Sequence, residues 1–205
     1  MTATPSSDIA FTPRVKAVQE QRGSRAAYAR MEARGGFRTG VTPDLVAFLA
    51  EIDTAFLATA TAEGQPYAQH RGGPPGFIRA VDEKTLGFAD FSGNRQYVTT
   101  GNLQENDKAF LFLMDYAHRR RVKLWGRARV TADAELIARL MPADYEAEAE
   151  QAILFEVEAW DINCPQHIPR KVDAAMAAAA LVRIEAERDR LAEENAALRA
   201  KLAGS

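Results

Sequence analysis

The sequence predicts a mainly β protein, a small barrel with flanking helices, followed by a C-terminal helix of different character. Three observations support this fold class. Short apolar or alternating segments follow one another between residues 54 and 162, separated by tight turns. A single helical pattern interrupts the strands of the first part of that stretch, and from about Lys171 the sequence is rich in Ala, Glu and Arg. Closely spaced strands favour a barrel over alternating strand–helix units.

The N-terminal region is expected to be a flexible tail over residues 1–12 followed by helices. One helix is predicted at Val15–Gln21, and a second begins at the N-cap Ser24 and ends before Gly35. A third begins at Thr42, a suitable N-cap with proline in the next position. Its apolar face follows the helical repeat and comprises Leu45, Phe48, Leu49 and Ile52.

The strands are predicted from alternating or continuous apolar runs bounded by turn residues. Helices are expected between them from Asn94 to Gln104 and at Ala132–Arg139 and Ala143–Ala149. The predicted strands are Ala55–Ala60, Pro66–Arg71, Phe77–Val81, Thr85–Phe91, Ala109–Asp115, Val122–Thr131 and Ile153–Ile162.

Composition excludes several classes of function. The net charge of −2, from 26 basic and 28 acidic residues, does not indicate a nucleic-acid binder or a polybasic membrane anchor. There is no signal peptide and no apolar run long enough to span a membrane, so we expect a cytoplasmic protein. Its one cysteine, Cys164, cannot form an intrachain disulfide. The three histidines lack metal-ligand spacing, and no metal site is expected.

The run Phe88–Leu103, FADFSGNRQYVTTGNL, predicts a strand that turns directly into a helix. A helix start offers unpaired N–H groups and the positive end of the helix dipole, which suits a phosphate. Polar and basic side chains at this turn would add hydrogen bonds and charge. The candidate phosphate-binding residues are Ser92, Asn94, Arg95 and Gln96.

The C-terminal segment has the apolar spacing of a coiled coil. Ile184, Leu191 and Leu198 fall at position d of a heptad, which places Asn195 at position a. A lone asparagine at a favours two parallel strands in one register. Glu194 at g would face Arg199 at e of a partner chain. The alternative is a single amphipathic helix lying on its own domain.

Together these segments resemble the FMN-binding split-barrel proteins related to pyridoxamine 5′-phosphate oxidase. The resemblance covers Leu45 to Ile162 and depends on three segments in order: FLATATAEGQPYAQHRGG, FADFSGNRQYVTTGNLQEND and RRRVKLWGRARV. It implies a six-stranded split β-barrel over residues 42–165, preceded by a tail and helices (1–41) and followed by a linker and C-terminal helix (166–205). It also implies a homodimer with two FMN sites at the subunit interface.

The resemblance implies roles for individual residues. Ser92, Asn94, Arg95 and Gln96 would hold the FMN phosphate. The strand Gln69-His70-Arg71-Gly72 would follow the isoalloxazine ring and ribityl chain, with Asp90 near the same cofactor. Arg121 would reach the cofactor of the partner subunit. Because His70 and Arg71 are adjacent in a strand, their side chains should point to opposite faces.

The loop after the last strand is a further candidate. Gln166, His167 and Arg170 lie where the oxidases carry substrate-binding residues, without that motif's pattern, and would border the flavin pocket. A role for Cys164 as a nucleophile is not favoured, because the sequence shows no third group that would orient a catalytic base beside it. The segment Gly72–Pro75 stands where the oxidases have a phosphate-binding lysine, so pyridoxamine phosphate is not the expected substrate.

Three functions remain open from the sequence. The first is an FMN-dependent oxidoreductase acting on an unassigned small molecule, with NAD(P)H as a candidate reductant. The second is a non-catalytic flavin-binding or sensor protein that assembles through its coil. The third is the same fold holding the deazaflavin F420 or haem.

Overall fold

The computed structural model describes residues 4–162, 165–172 and 174–204. The chain forms two compact units. The first comprises Met1–Asp115 and Arg120–Gln166, and the second comprises Tyr116–Arg119 and His167–Ser205.

An antiparallel sheet of seven strands dominates the first unit, in the order β2-β1-β5-β6-β7-β4-β3. The number of strands equals the seven predicted from the sequence pattern and exceeds by one the six implied by the resemblance; the two-residue β3 pairs with β4. Phe77 and Ile78, expected in that strand, are instead buried in the core. The strands are β1 (Thr54–Ala60), β2 (Pro66–Gly72), β3 (Arg79–Ala80), β4 (Thr85–Phe91), β5 (Lys108–Asp115), β6 (Arg120–Thr131) and β7 (Ala149–Ile162).

Five helices accompany this sheet among the described residues of the first unit. The cap of the third is confirmed, since Thr42 Oγ1 accepts from the backbone N–H of Leu45 at 3.4 Å. All four residues of its predicted apolar face are buried. The helices are α1 (Pro13–Gln21), α2 (Arg25–Glu32), α3 (Pro43–Leu49), α4 (Val98–Glu105) and α5 (Ala134–Leu140).

The sheet curves so that side chains of β2 and β4 meet, although the two strands lie far apart in the strand order. Arg71 of β2 forms an ion pair with Asp90 of β4. The described residues show no backbone ladder between these strands. The curved sheet encloses a core of aliphatic and aromatic side chains, among them Leu57, Leu111 and Trp160. Burial of this apolar surface is the main stabilising contribution to the fold.

The expectation of a flexible N-terminal tail is wrong for the described residues 4–12. A short 3-10 helix, Ser6–Ile9, packs so closely that Ser7 is fully buried. The single hydroxyl proton of Ser6 is within reach of two acceptors, the carbonyl oxygens of Gly35 and Phe37. Gly36 permits this approach: its φ is +89°, and a Cβ there would lie 2.9 Å from Ser6 Oγ.

The helix expected at Ala143–Ala149 is also wrong. Asp144 has a φ of +56°, which a right-handed helix does not allow. The backbone N–H of Ser92 donates to the carbonyl oxygen of Glu148 at 2.8 Å, and Ala149 pairs with Phe91 in the sheet. Long-range pairing with β4 therefore overrides the local helix preference of this Ala- and Glu-rich run.

The second unit contains a helix, α6, spanning Ala174–Ala203. Before it, Lys171 is held to the turn between β5 and β6. Its backbone N–H donates to the carbonyl oxygen of Tyr116, and its ammonium group lies 4.0 Å from the centre of the Tyr116 ring. Among the residues that the structure describes, no helix is both long and apolar enough to cross a membrane.

Candidate functional site

The candidate site lies where the ends of β2 and β4 meet α4 and the start of β7. Alternation along β2 places Gln69 and Arg71 on its inner side, level with buried Leu57 and Ala55 of β1. Two contacts fix α4 beside this edge. Thr99 Oγ1 donates to Gln69 Oε1 at 2.8 Å, and α4 is also held to β1 by a buried side-chain hydrogen bond.

The Arg71–Asp90 ion pair is the centre of the site. Both side chains are only 12% exposed. Gln151 of β7 donates from Nε2 to Asp90 Oδ2 and to Thr100 Oγ1, each at 2.9 Å. Arg71 Nε is buried and has no hydrogen-bond partner among the described residues. Because a buried donor without a partner is costly, this N–H is suited to a ligand's acceptor.

Two adjoining depressions, of about 60 and 180 Å³, flank the ion pair. Gln69, Arg71 and Asp90 line both of them. The smaller one is bordered by polar side chains of the loop, α4 and β7, whereas the larger one reaches the aromatic floor of the core. The smaller depression is also lined by Asn94, Arg95, Tyr97, Thr99, Thr100 and Glu150. The larger depression is also lined by His70, Gly72, Phe77 and Phe88.

The loop before α4 differs from the predicted phosphate turn. The helix begins at Val98 rather than Asn94, because Arg95 and Tyr97 have φ values of +55° and +54°, which interrupt a right-handed helix. The helix start therefore lies beyond the residues expected to use it. Asn94 instead accepts, through Oδ1, a hydrogen bond from the backbone N–H of Gln96 at 3.3 Å, so it stabilises the loop itself.

A carboxylate from β7 occupies the polar side of this loop. Glu150 Oε1 accepts a hydrogen bond from Ser92 Oγ at 2.9 Å and lies 3.1 Å from Arg95 Nε. The Arg95 side chain is 66% exposed, so its charge remains largely accessible to solvent. An anion that uses Ser92 and Arg95 has to compete with Glu150 for both groups.

The remaining predicted residues fall into separate places. The exposed side chain of His70 alternates with that of Arg71 along β2, as predicted; its ring packs edge-on against Phe56, and the residue also borders the larger depression. Arg121 lies in β6 opposite Met114 of β5, and its Nε is buried without a partner among the described residues. It does not line either depression of its own chain.

Three residues of the loop after β7 were predicted to border the pocket, and that role stays a prediction. Gln166 ends the first unit, whereas His167 and Arg170 belong to the second, and all three are exposed. Cys164 lies outside the described residues.

A larger cleft of about 300 Å³ lies elsewhere in the first unit, with Phe48 and Trp160 at its floor. Its two arginines already hold carboxylates: Arg38 pairs with Asp44, and Arg120 pairs with Asp115 and Glu51. It offers less unsatisfied hydrogen-bonding capacity than the site at Arg71, despite its greater volume.

Comparison with known protein families shows the family to which the chain belongs. The family model for pyridoxamine 5′-phosphate oxidase matches residues 41–188, more than half of the chain. The chain belongs to the pyridoxamine 5′-phosphate oxidase family. Both depressions and the ion pair lie within the matched segment. No curated protein gives a significant sequence match.

Solved structures similar to this member of the family carry several names. HupZ of Group A Streptococcus is 17% identical with a TM-score of 0.49, over 64% of this chain and 99% of that chain. An FMN-binding protein of Syntrophomonas wolfei is 10% identical with a TM-score of 0.46, over 71% and 97%. A structure named F420 reductase is 16% identical with a TM-score of 0.42, over 59% and 98%.

Several residues of the site were missed from the sequence. Glu150 and Gln151 belong to β7, which begins at Ala149 rather than Ile153. The alternation that marks this strand already starts in EAEAEQAILFEVEAW, and reading it from its first residue would have placed both side chains in a strand. Thr99 and Thr100 carried no signal beyond their position within a predicted helix, and they lie in the first turn of α4 only because that helix begins at Val98.

Proposed function

We propose that this member of the pyridoxamine 5′-phosphate oxidase family binds FMN beside the Arg71–Asp90 pair and is an FMN-dependent oxidoreductase acting on a small molecule. The observation that carries the proposal is that Arg71 lines two adjoining depressions and has a buried Nε without a partner among the described residues. A flavin offers ring and ribityl oxygen and nitrogen acceptors to such a donor. Family membership supports the choice of a flavin.

The donor set fits the two ends of FMN. Around the larger depression, Arg71 and the amide of Gln69 would donate to the ring and ribityl chain. The side-chain oxygen of Gln69 accepts the hydrogen bond from Thr99. The amide NH₂ of Gln69 is therefore the group that would donate to a ligand. Around the smaller depression, Ser92, Asn94, Arg95 and Gln96 would hold the phosphate.

When bound, FMN would supply the hydride or electron transfer that no protein side chain provides. The protein's own contribution is positional and electrostatic. Asp90 fixes the Arg71 guanidinium, and Gln151 in turn holds Asp90. A guanidinium held in this way keeps its positive charge beside the bound group, where it would stabilise negative charge that develops on reduction.

The site is proposed to be completed by a second copy of the chain in a homodimer. Arg121 does not line the depressions of its own chain, yet its buried Nε has no partner among the described residues. In the proposed dimer this guanidinium would reach the cofactor of the partner subunit. NAD(P)H is the proposed electron donor, and the loop with Gln166, His167 and Arg170 is proposed to border the pocket.

Titration of the purified chain with FMN and with riboflavin, followed by quenching of flavin fluorescence, tests the cofactor and its phosphate contact. We expect one FMN per chain and weaker riboflavin binding. Arg95→Glu removes a charge-assisted hydrogen bond and should weaken FMN binding by roughly 10- to 150-fold. The control Arg14→Glu makes the same charge change at an exposed position of α1 and should have no effect.

Retention of FMN at full affinity by Arg95→Glu would defeat the phosphate assignment. A protein that ignores FMN but takes up deazaflavin F420 or haem would defeat the cofactor assignment. FMN that binds but is not reduced anaerobically by NADH, NADPH or a panel of small substrates would favour a non-catalytic flavin-binding or sensor protein.

A further inference from the structure

Helix α6 exposes an apolar stripe that two polar residues interrupt. Of its described residues none is buried, and each large aliphatic side chain of the stripe is at least half exposed. A helix of 30 residues is about 45 Å long. The stripe follows an alternating spacing of three and four residues, in which Arg188 and Asn195 are the two polar positions. Its apolar members are Leu181, Ile184, Leu191, Leu198 and Leu202.

The aliphatic side chains of this stripe take no part in the ion pairs that form within the helix. Arg190 forms ion pairs with Glu187 at 2.6 Å and with Glu194 at 3.4 Å, one turn in each direction. Such pairs contribute only a few tenths of a kcal/mol each. Helical stability in proteins comes mostly from packing of an apolar face. We therefore expect the stripe to pack against another apolar surface.

We propose that Leu181–Leu202 pairs with the same segment of a second copy of this chain in a parallel, two-stranded coiled coil. This interaction surface is separate from the flavin site and does not depend on the proposed cofactor. Ile184, Leu191 and Leu198 occupy position d, and Leu181, Arg188, Asn195 and Leu202 occupy position a.

The polar position Asn195 selects the orientation. In a parallel, in-register pair the two Asn195 side chains meet at the same level and can hydrogen-bond to each other. In an antiparallel pair, position a packs against position d, so Asn195 would face an apolar side chain and its amide would lose its partner. Leaving a buried polar group unpaired is unfavourable, and the parallel arrangement avoids this cost.

Charge at the flanks of the stripe agrees with a second copy as the occupant. Glu194 at position g lies opposite Arg199 at position e of the other helix in a parallel pair, and symmetry repeats this contact. Arg188 at position a opposes its own copy, but its side chain is 68% exposed and bonded to Asp189, so its guanidinium can leave the seam for solvent. The coil is therefore expected to be weak alone and to extend a dimer formed elsewhere.

Disulfide crosslinking of the full chain tests both the pairing and its direction. In a Cys164→Ser background, Leu198→Cys places a thiol at position d, and Ala200→Cys places one at the outward position f. Under mild oxidation, Leu198→Cys should give mostly covalent dimer, because identical d positions face each other in a parallel coil. Ala200→Cys should give only background crosslinking at the same protein concentration.

Reversal of the flank charges supplies an independent readout in the same Leu198→Cys background. Glu194→Arg places like charges opposite each other and should slow crosslinking by roughly 2- to 30-fold. Adding Arg199→Glu should restore the rate, because the pairs are re-formed with opposite polarity. Equal crosslinking at positions 198 and 200 would overturn the coil, and absence of rescue by the double reversal would overturn its parallel register.

Discussion

Replacing Arg71 with methionine is expected to destabilise the fold by about 3–5 kcal/mol, because it removes one partner of a buried ion pair. Methionine keeps much of the length and apolar volume of the arginine stem. Asp90 would then be left as a carboxylate only 12% exposed, with Gln151 as its remaining side-chain donor among the described residues. For a chain of about this size each kcal/mol corresponds to roughly 2–4 °C, which gives a fall in Tm of about 6–20 °C.

The double variant Arg71→Met/Asp90→Leu separates the loss of a partner from the loss of the pair. Replacing both ions with apolar residues removes the unpaired charge, and such replacements are often neutral or stabilising. We therefore expect the double variant to recover most of the stability in urea denaturation followed by circular dichroism. Under the proposed function both variants should bind FMN more weakly than the wild type, because both lack the Arg71 donor.

Arg127→Met is the matched control, since it breaks an exposed pair with Asp107 and Glu158. Exposed pairs contribute about 0–1 kcal/mol, so this variant should remain close to the wild type. A cost for Arg71→Met as small as that of the control would refute the reasoning. A double variant as unstable as the single one would show that the arginine acts through packing rather than charge.

Two further predictions concern the scaffold. Gly126→Ala should cost about 3 kcal/mol or more, because a Cβ there would lie 1.9 Å from the carbonyl oxygen of Glu156, whereas Gly93→Ala, with open space around it, should be neutral in the same thermal melt. The Arg25 hydrogen bond lowers the pKa of Glu32 below its ordinary 4.5, so its stabilisation is present above that pH and lost as the pH falls through the folded pKa. The stability difference between wild type and Glu32→Gln should therefore shrink in acid, and a difference that stays constant from pH 7 to 3 would contradict this.

Much of the sheet could be predicted because its signals are local. Apolar runs and alternation marked all seven strands within a few residues, and adjacent side chains in β2 were correctly assigned to alternate along the strand. The cap at Thr42 was equally local, since side chain and backbone N–H are three residues apart. Each of these features is determined by residues that are close to one another in the sequence.

The site was less predictable because its geometry depends on distant segments. The left-handed conformations of Arg95 and Tyr97, which delay α4, have no signature in residues of these types. Glu150 reaches the loop because β7 pairs with β4, a contact across some 60 positions of sequence. The helix-forming composition of residues 143–149 concealed this pairing. It therefore also concealed the contact of the Glu150 carboxylate with the loop.

The charges around the two depressions bear on how a phosphate could be held. Arg71 is committed to Asp90, and Arg95 lies beside Glu150, so each cation is already balanced by a carboxylate. The two pairs differ in exposure: the Arg71 pair is buried, whereas the Arg95 side chain is 66% exposed. An exposed pair is the easier one to exchange, because water stabilises the released carboxylate. A phosphate would therefore take Arg95 and Ser92 from Glu150, while the Arg71–Asp90 pair stays intact and offers its free Nε–H to the rest of the ligand.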